Sequence, residues 1–369
     1  MKEKNLYRSL RVLEDHQGTR AAFKGRDLIL FCSNDYLGLS RHPRVTRAAQ
    51  QAIKKHGVGA GGARLISGTT SLHEALEKKI ARLKDKESAL VFGSGFLANL
   101  GILTAFAGEG DVIIMDKLCH ASLVDGARLS KAELRVFPHK NYGKCEELLR
   151  QYPGQRKLLV TESVFSMDGD LADLKKLIPL KKKHKALLIV DDAHGTGVSG
   201  THGRGATEGF SKEIDIIMGT LSKALGGLGG FVAADKALIN HLINFARPFI
   251  FATALPPALC EAAREALSLI EEEPSLRKKL WANIRQLHQG LALLGFALAK
   301  PESAILPVIL GDEGKAVAAF EKLLERGFFI PAVRYPTVPK GKARLRVTVS
   351  AAHTSKDIQT LLKAFKTIL

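Results

Sequence analysis

The chain predicts an α/β fold: a large domain on a mostly parallel, seven-stranded sheet, followed by a smaller α+β C-terminal domain. Three observations carry this. Between residues 88 and 234, seven short apolar runs alternate with stretches of helical period. Those runs are near-continuously apolar, as strands buried on both faces require. After Pro256-Pro257 the texture changes to long amphipathic helices and then a compact mixture of strands and helices.

Residues 1–42 read as a lead-in, with a short strand at 28–32 and the turn-rich S-N-D-Y-L-G-L-S at 33–40. Pro43 can open a helix to about residue 56, because its fixed φ suits the first helical position. A glycine-rich loop follows at 57–69. Thr70 or Ser71 can cap a helix to residue 83, and Ser71 with Glu74 has the capping-box spacing. Strands are expected at 88–92, 111–115, 134–137, 157–161, 186–190, 214–218 and 230–234, with helices at 95–107, 120–129, 142–150 and 173–183. Helices at 258–273 and 274–294 come next. Strands at 304–310, 328–333 and 344–350 and helices at about 314–326 and from 355 complete the chain. The expected division is a lead-in at 1–42, a large domain at 43–272 and a small domain at 273–369.

The composition, 46% hydrophobic and 25% charged, is that of a globular chain. No apolar run approaches the roughly 20 residues of a membrane span, and residues 1–10 are charged, without a secretory core. Four cysteines without a C-x-x-C pair argue against a disulfide framework or zinc site and for a reducing cytoplasm. The net charge of +18 suits anionic small molecules or nucleic acid. No nucleic-acid motif accompanies it, so no nucleic-acid partner is expected. The densest basic run, 181–185, falls at a helix C-terminus, where cations complement the helix dipole and commonly face solvent.

Chemistry is expected at the carboxyl ends of the strands. The stretch G-T-L-S-K-A-L-G-G-L-G-G at 219–230 surrounds one lysine, Lys223, with small residues. Such a lysine can form an imine with pyridoxal phosphate; an ordinary loop lysine is the competing reading. The glycines after it read as room for a planar ring and an acyl chain. Upstream, Gly93-Ser94-Gly95-Phe96 opens a helix and suits a phosphate. His120 follows another strand, where a capping or surface histidine is the plainer reading. Ser166 offers a hydroxyl, and Asp168-Gly169 reads as a turn. Asp191 is the first polar residue after a buried strand. Its carboxylate can pair with a pyridine nitrogen, and His194 can reach a phenolic oxygen; a metal site is the rival, though no further ligands stand at familiar spacing.

These pieces resemble the α-oxoamine synthases, fold-type-I pyridoxal-phosphate transferases, over nearly the whole chain from S-N-D-Y-L-G-L to R-L-R-V-T-V-S-A-A-H-T. G-A-G-G-A-R-L-I-S-G, V-D-D-A-H-G-T-G-V, F-I-F-A-T-A-L-P-P-A and R-Y-P-T-V-P-K-G-K-A-R-L-R are most similar to the biotin-synthesis branch. That branch joins L-alanine to a pimeloyl thioester with loss of carbon dioxide, giving 8-amino-7-oxononanoate. The sister branch, which acylates glycine from acetyl-CoA, shares every cofactor residue and remains the alternative. The resemblance implies that Lys223 carries the cofactor, that Asp191 and His194 address its ring, and that His120 stacks on it. Gly95, Phe96 and Thr220 would hold the phosphate, and Thr253 would reach the phosphate of a neighbouring subunit. Ser166 would lie near the ring oxygen. Arg8, Asn34, Arg334, Thr337 and Arg346 would bind substrate, with Arg346 on the amino-acid carboxylate. A cytoplasmic homodimer is implied, with coenzyme A or an acyl-carrier protein bearing the acyl group.

Overall fold

The computed structural model describes residues 10–368, which form two compact units. Arg8 lies outside the described residues.

The larger unit, residues 42–165 and 171–272, is built on a seven-stranded sheet. Its strands run, edge to edge, Ser88–Phe92, Gly230–Ala234, Ile216–Thr220, Leu187–Asp191, Lys157–Glu162, Val112–Asp116 and Glu133–Phe137. Every residue of the 112–116, 157–162, 216–220 and 230–234 strands is buried, as a sheet covered on both faces demands. The edge strand at 133–137 departs from the expected apolar run, with only Phe137 buried.

Gly230–Ala234 pairs antiparallel to both neighbours. Residues 221–229 join it to the preceding strand without a helix, too short for the crossover of a dozen or more residues that a parallel pair needs. The strand expected at 214–218 lies two residues later, at Ile216–Thr220. Thr220 therefore ends the strand.

Helix starts follow local chemistry. Pro43–His56 begins at its proline as expected. Ser71–Lys84 is capped by Thr70, and the box is closed by His73, whose Nδ1 accepts the Thr70 N–H at 3.2 Å. The expected Ser71–Glu74 box is not the one used. Helices absent from the expectation occupy Lys236–Phe245 and Arg247–Ile250. In the basic run ending Leu174–His184, Lys182, Lys183 and Lys185 face solvent as expected, while Lys181 is held in, its Nζ 2.7 Å from Asp215.

Beneath the strand ends lies a buried ion pair. Lys84 Nζ donates to Asp192 Oδ2 (2.6 Å), Thr196 Oγ1 (2.7 Å) and the Arg204 carbonyl (2.6 Å), spending its three protons. Asp192 Oδ1 accepts from Ser163 Oγ (2.5 Å) and the Ala206 N–H (3.1 Å). Gly205, at φ +106°, makes room: a Cβ there would lie 1.8 Å from Asp192 Oδ2.

The second unit comprises residues 10–41, 166–170 and 273–368. A four-stranded sheet orders Glu14–Gln17, Arg20–Phe23, Arg26–Leu30 and Phe328–Phe329. A three-stranded sheet orders Ile305–Gly311, Ala343–Thr348 and Ala332–Val333. The single strand expected at 328–333 is thus two, in different sheets, because Pro331 has no N–H for a ladder. Pro274–Leu293, Glu313–Glu325 and Ser355–Phe365 are its helices. The Asp168-Gly169 turn forms with Gly169 at φ +72°, held by Arg344 Nη1 on the Met167 carbonyl (3.0 Å) and Asp168 Oδ1 (2.7 Å).

His353 is buried and stacked on Phe31 at 3.9 Å. Its Nδ1 accepts the Ser350 N–H, and its Nε2 lies 3.1 Å from the Leu30 carbonyl. Burial lowers its pKa to about 4, and likewise that of His73 in the larger unit.

Two outcomes are expected. Lys84→Met strands a buried carboxylate and should cost about 3–5 kcal/mol; urea unfolding with native purified protein measures it, and an unchanged midpoint contradicts the account. Secondly, the unfolded histidines titrate near ~6.5 while the folded ones stay neutral to about 4. Their stabilising share is complete above ~6.5 and is lost as pH falls toward about 4, at up to ~1.4 kcal/mol per pH unit for each group. Urea midpoints measured from pH 7.5 to 5 should fall, and His353→Gln should flatten that slope.

Candidate active site

Five strand ends of the larger unit meet one cavity of about 170 Å³. Its lining includes Gly95, Phe96, His120, Asp191, His194, Thr220 and Lys223, all singled out in the sequence. Ser94, Asn99, Ser122, Glu162, Ala193, Met218 and Ser222 complete it.

Each side chain is delivered by its strand. Ser94 caps the Gly95–Phe106 helix, its Oγ accepting the Leu97 N–H at 3.2 Å, so the helix start faces the cavity with the positive end of its dipole. A Cβ on Gly95 would stand 3.0 Å from Met218 Cε and 3.5 Å from Thr220, so glycine keeps that cradle open. Thr220 Oγ1 donates to the Gly229 carbonyl (2.9 Å) and lies 2.7 Å from Ser222 Oγ. Lys223 sits in the turn that follows, half-buried, its carbonyl accepting the Gly226 N–H at 2.9 Å.

Two glycines flanking the Lys223 turn, Gly219 and Gly230, serve the chain's own packing, while a Cβ on Gly227 would meet only the Leu221 carbonyl, at 3.4 Å. A Cβ on Gly219 would lie 2.2 Å from the Phe231 ring, and one on Gly230 2.5 Å from the Ser94 carbonyl. Gly229 is held at φ +129°.

Asp191 is 6% exposed. Its Oδ2 accepts from Asn99 Nδ2 at 2.8 Å and its Oδ1 from the Ala193 N–H at 2.9 Å, so the carboxylate is braced on both oxygens. His120 caps the Ala121–Leu129 helix, with Nδ1 accepting the Ser122 N–H at 3.2 Å. His120 therefore caps a helix, the plainer reading, and also lines the cavity. Protein packed around the imidazole, and the nearby Lys223 charge, lower its pKa; Asp191 and Asp125 oppose that shift. Phe96 meets the His120 ring edge-on at 6.3 Å.

Other expected residues lie elsewhere. Thr253 is exposed and bridges Ala63 in the glycine-rich loop, outside the cavity. In the second unit, Arg346 Nε donates to the Ser166 carbonyl (2.6 Å) and Nη1 to Asn34 Oδ1 (3.2 Å), which also accepts the Tyr36 hydroxyl (3.1 Å). Arg334 and Thr337 share a turn, the Thr337 N–H donating to the Arg334 carbonyl at 3.0 Å.

Sequence reasoning missed Asn99 and Ser122. The signal for Asn99 was its place four residues after Gly95, a lone amide in an otherwise apolar helix stretch. The four cysteines are free, and burial pushes the thiols of Cys32, Cys145 and Cys260 up to about 12. Among the described residues no group of three His, Cys, Asp or Glu side chains could hold a metal ion, and no helix is long and apolar enough to cross a membrane.

The donor set fits an anionic aromatic aldehyde: an amine, a braced carboxylate, two imidazoles and a glycine-opened helix start. Comparisons with known proteins agree. The aminotransferase class I and II family model matches residues 26–365. A putative 8-amino-7-oxononanoate synthase of Desulforudis audaxviator is 51% identical, over 97% of this chain and 94% of its own. The 8-amino-7-oxononanoate synthase of Geobacter sulfurreducens is 47% identical, over 100% and 95%. Serine palmitoyltransferase from S. paucimobilis, solved with a bound PLP–myriocin aldimine, superposes with a TM-score of 0.94 at 34% identity, covering 97% of this chain and 92% of that one. For an 8-amino-7-oxononanoate synthase structure from Francisella tularensis the TM-score is 0.79 at 32% identity, covering 92% and 97%. With its seven-stranded sheet and these relatives, the chain belongs to the aminotransferase class I and II family, as a fold-type-I transferase of the α-oxoamine synthase group.

Proposed function

We propose that this chain joins L-alanine to a pimeloyl thioester, releasing carbon dioxide and the free thiol carrier, to form 8-amino-7-oxononanoate with pyridoxal phosphate as cofactor. The observation that carries this is the convergence of Lys223, Asp191, His194 and His120 on one cavity. It occurs in a chain 46–51% identical, over nearly all its length, to several relatives named for that reaction.

Pyridoxal phosphate, when bound, supplies an electron sink for the amino acid's Cα, so that its C–H and C–carboxylate bonds can break. The chain's residues do the rest. Lys223 Nζ would anchor the cofactor and, as a free amine, would take the Cα proton as general base. The braced Asp191 carboxylate would hold a proton on the ring nitrogen, and His194 would serve the phenolic oxygen. Gly95, Phe96 and Thr220 would hold the phosphate at the helix start. His120 would hold the ring and offer its Nε2–H to the substrate ketone, and Ser166 would serve the ring oxygen. Arg346, oriented by Asn34 and by the Ser166 carbonyl, takes the alanine carboxylate as a fork-shaped donor. Arg8, Arg334 and Thr337 contact the acyl substrate.

A homodimer is part of the reading. Thr253 is exposed beside a loop whose Leu65 and Ile66 are 50% and 84% exposed, with Phe251 at 68%. Such apolar surface suits a second copy, to which Thr253 would lend its hydroxyl. Four free cysteines fit a reducing, cytoplasmic setting.

A second reading, a sister α-oxoamine synthase using glycine or serine, is favoured by the TM-scores, 0.94 for the serine palmitoyltransferase against 0.79 for the F. tularensis synthase. Product mass decides. Offered alanine, glycine and serine with pimeloyl, acetyl and succinyl thioesters, the enzyme should form product chiefly from alanine and the pimeloyl group. Preference for another pair replaces the first reading with the second. Lys223→Ala should abolish turnover and the near-visible absorbance of the loaded protein; a purified variant that still turns over removes Lys223 from the mechanism.

A further inference from the structure

Asn99 is 1% exposed and Ser122 fully buried. Asn99 Nδ2 stands 2.8 Å from Asp191 Oδ2 and 2.9 Å from Ser122 Oγ; Ser122 Oγ stands 2.8 Å from His120 Nδ1. One arrangement of protons gives every contact in this chain, and the Ser122 backbone N–H on His120 Nδ1, a donor and an acceptor. A carboxylate accepts and cannot donate, so Asp191 selects the amino end of the Asn99 amide. The opposite flip would set two acceptors against each other. With that orientation fixed, the second amide proton goes to Ser122 Oγ. The serine hydroxyl then has a single proton to give, and it points to His120 Nδ1. The Ser122 backbone N–H reaches the same nitrogen at 3.2 Å. Nδ1 is thus an acceptor twice over, and the neutral ring carries its proton on Nε2.

Asn99 Oδ1 is buried and finds no hydrogen-bond partner among the described residues. An orphaned buried acceptor costs roughly 1–3 kcal/mol.

We propose that Asn99 and Ser122 are positioning residues that pass the hydrogen-bond direction set by Asp191 on to His120, holding the imidazole as its Nε2–H tautomer with Nε2 the ring nitrogen that donates a proton. The role of that donor at a substrate ketone rests on the reaction proposed above; the relay itself rests on these contacts alone. The charged groups that act on His120 are Asp191 at its strand end, Lys223 in the turn after Ile216–Thr220 and Asp125 on its own helix. The packed surroundings and Lys223 already disfavour the imidazolium, in keeping with a neutral ring.

The test is a nitrogen NMR titration of histidine-labelled protein, with and without cofactor. His120→Gln identifies the signal among the 12 histidines. Wild-type His120 should show Nδ1 unprotonated and Nε2 protonated at neutral pH. Ser122→Ala, nearly isosteric, should shift the tautomer balance toward Nδ1–H and raise the His120 pKa by at least ~0.5 unit. Its kcat should fall ~10-fold, with the amino-acid KM within ~2-fold. Asn99→Ala should move the tautomer in the same direction. An Nδ1–H or charged ring in the wild type overturns the relay, as does a tautomer unmoved by Ser122→Ala, whatever the product assay shows. The expected tautomer response in a protein that condenses no thioester leaves the relay standing and removes the reaction reading.

Discussion

Lys84 and Asp192 form an ion pair with neither side chain exposed to solvent, directly behind the residues that line the cavity. Burying two charges is costly, and the pair is tolerated because every proton of Lys84 has an acceptor and both oxygens of Asp192 have donors. That arrangement fixes the loop after the Leu187–Asp191 strand. Asp191 is thereby aimed into the cavity while its neighbour, Asp192, is aimed away from it. Two adjacent carboxylates acquire opposite tasks, one as a staple of the unit and one facing the site. The glycines of this region, Gly195 and Gly205, yield to the same requirement: a Cβ on either would lie within about 2 Å of Asp192 oxygens.

The connection between Ile216–Thr220 and Gly230–Ala234 has a similar logic. It is too short to cross over, so the second strand reverses, and Lys223 is left on a tight turn at the strand ends. Close packing of Gly219 on Phe231 and of Gly230 on the Ser94–Gly95 backbone brings the lysine turn against the helix start. The amine and the helix start are thus neighbours because of backbone approach that no larger residue permits. In the second unit, Arg346 and Arg344 perform comparable work, tying the 166–170 segment and Asn34 to the 343–348 strand.

Much of this was legible in the residues. The strands at Ser88–Phe92 and Gly230–Ala234 and the helices at Pro43–His56 and Tyr142–Arg150 fall where the periodicity places them. The Glu14–Gln17 and Arg20–Phe23 strands were not visible, because E-D-H-Q and R-A-A-F have neither apolar alternation nor a turn signature strong enough to announce them. The antiparallel sense of Gly230–Ala234 was missed because its apolar run looks the same in either direction. Asn99 and Ser122 escaped notice because a hydrogen bond to a carboxylate 92 residues away leaves no local trace.

By itself, the sequence determined the alternation of buried strands and helices, and with it the strand ends at which Asp191, His194, His120 and Lys223 stand. Hydrophobic period and turn chemistry are local properties, so a single chain displays them. Only the tertiary structure decided which donors meet which acceptors: that Asn99 serves both Asp191 and Ser122, that Lys84 answers Asp192, and that the space at Gly219 and Gly230 is filled by the protein itself. Those are facts of distance and direction between remote segments, and they exist only once the sheet has brought its strand ends together.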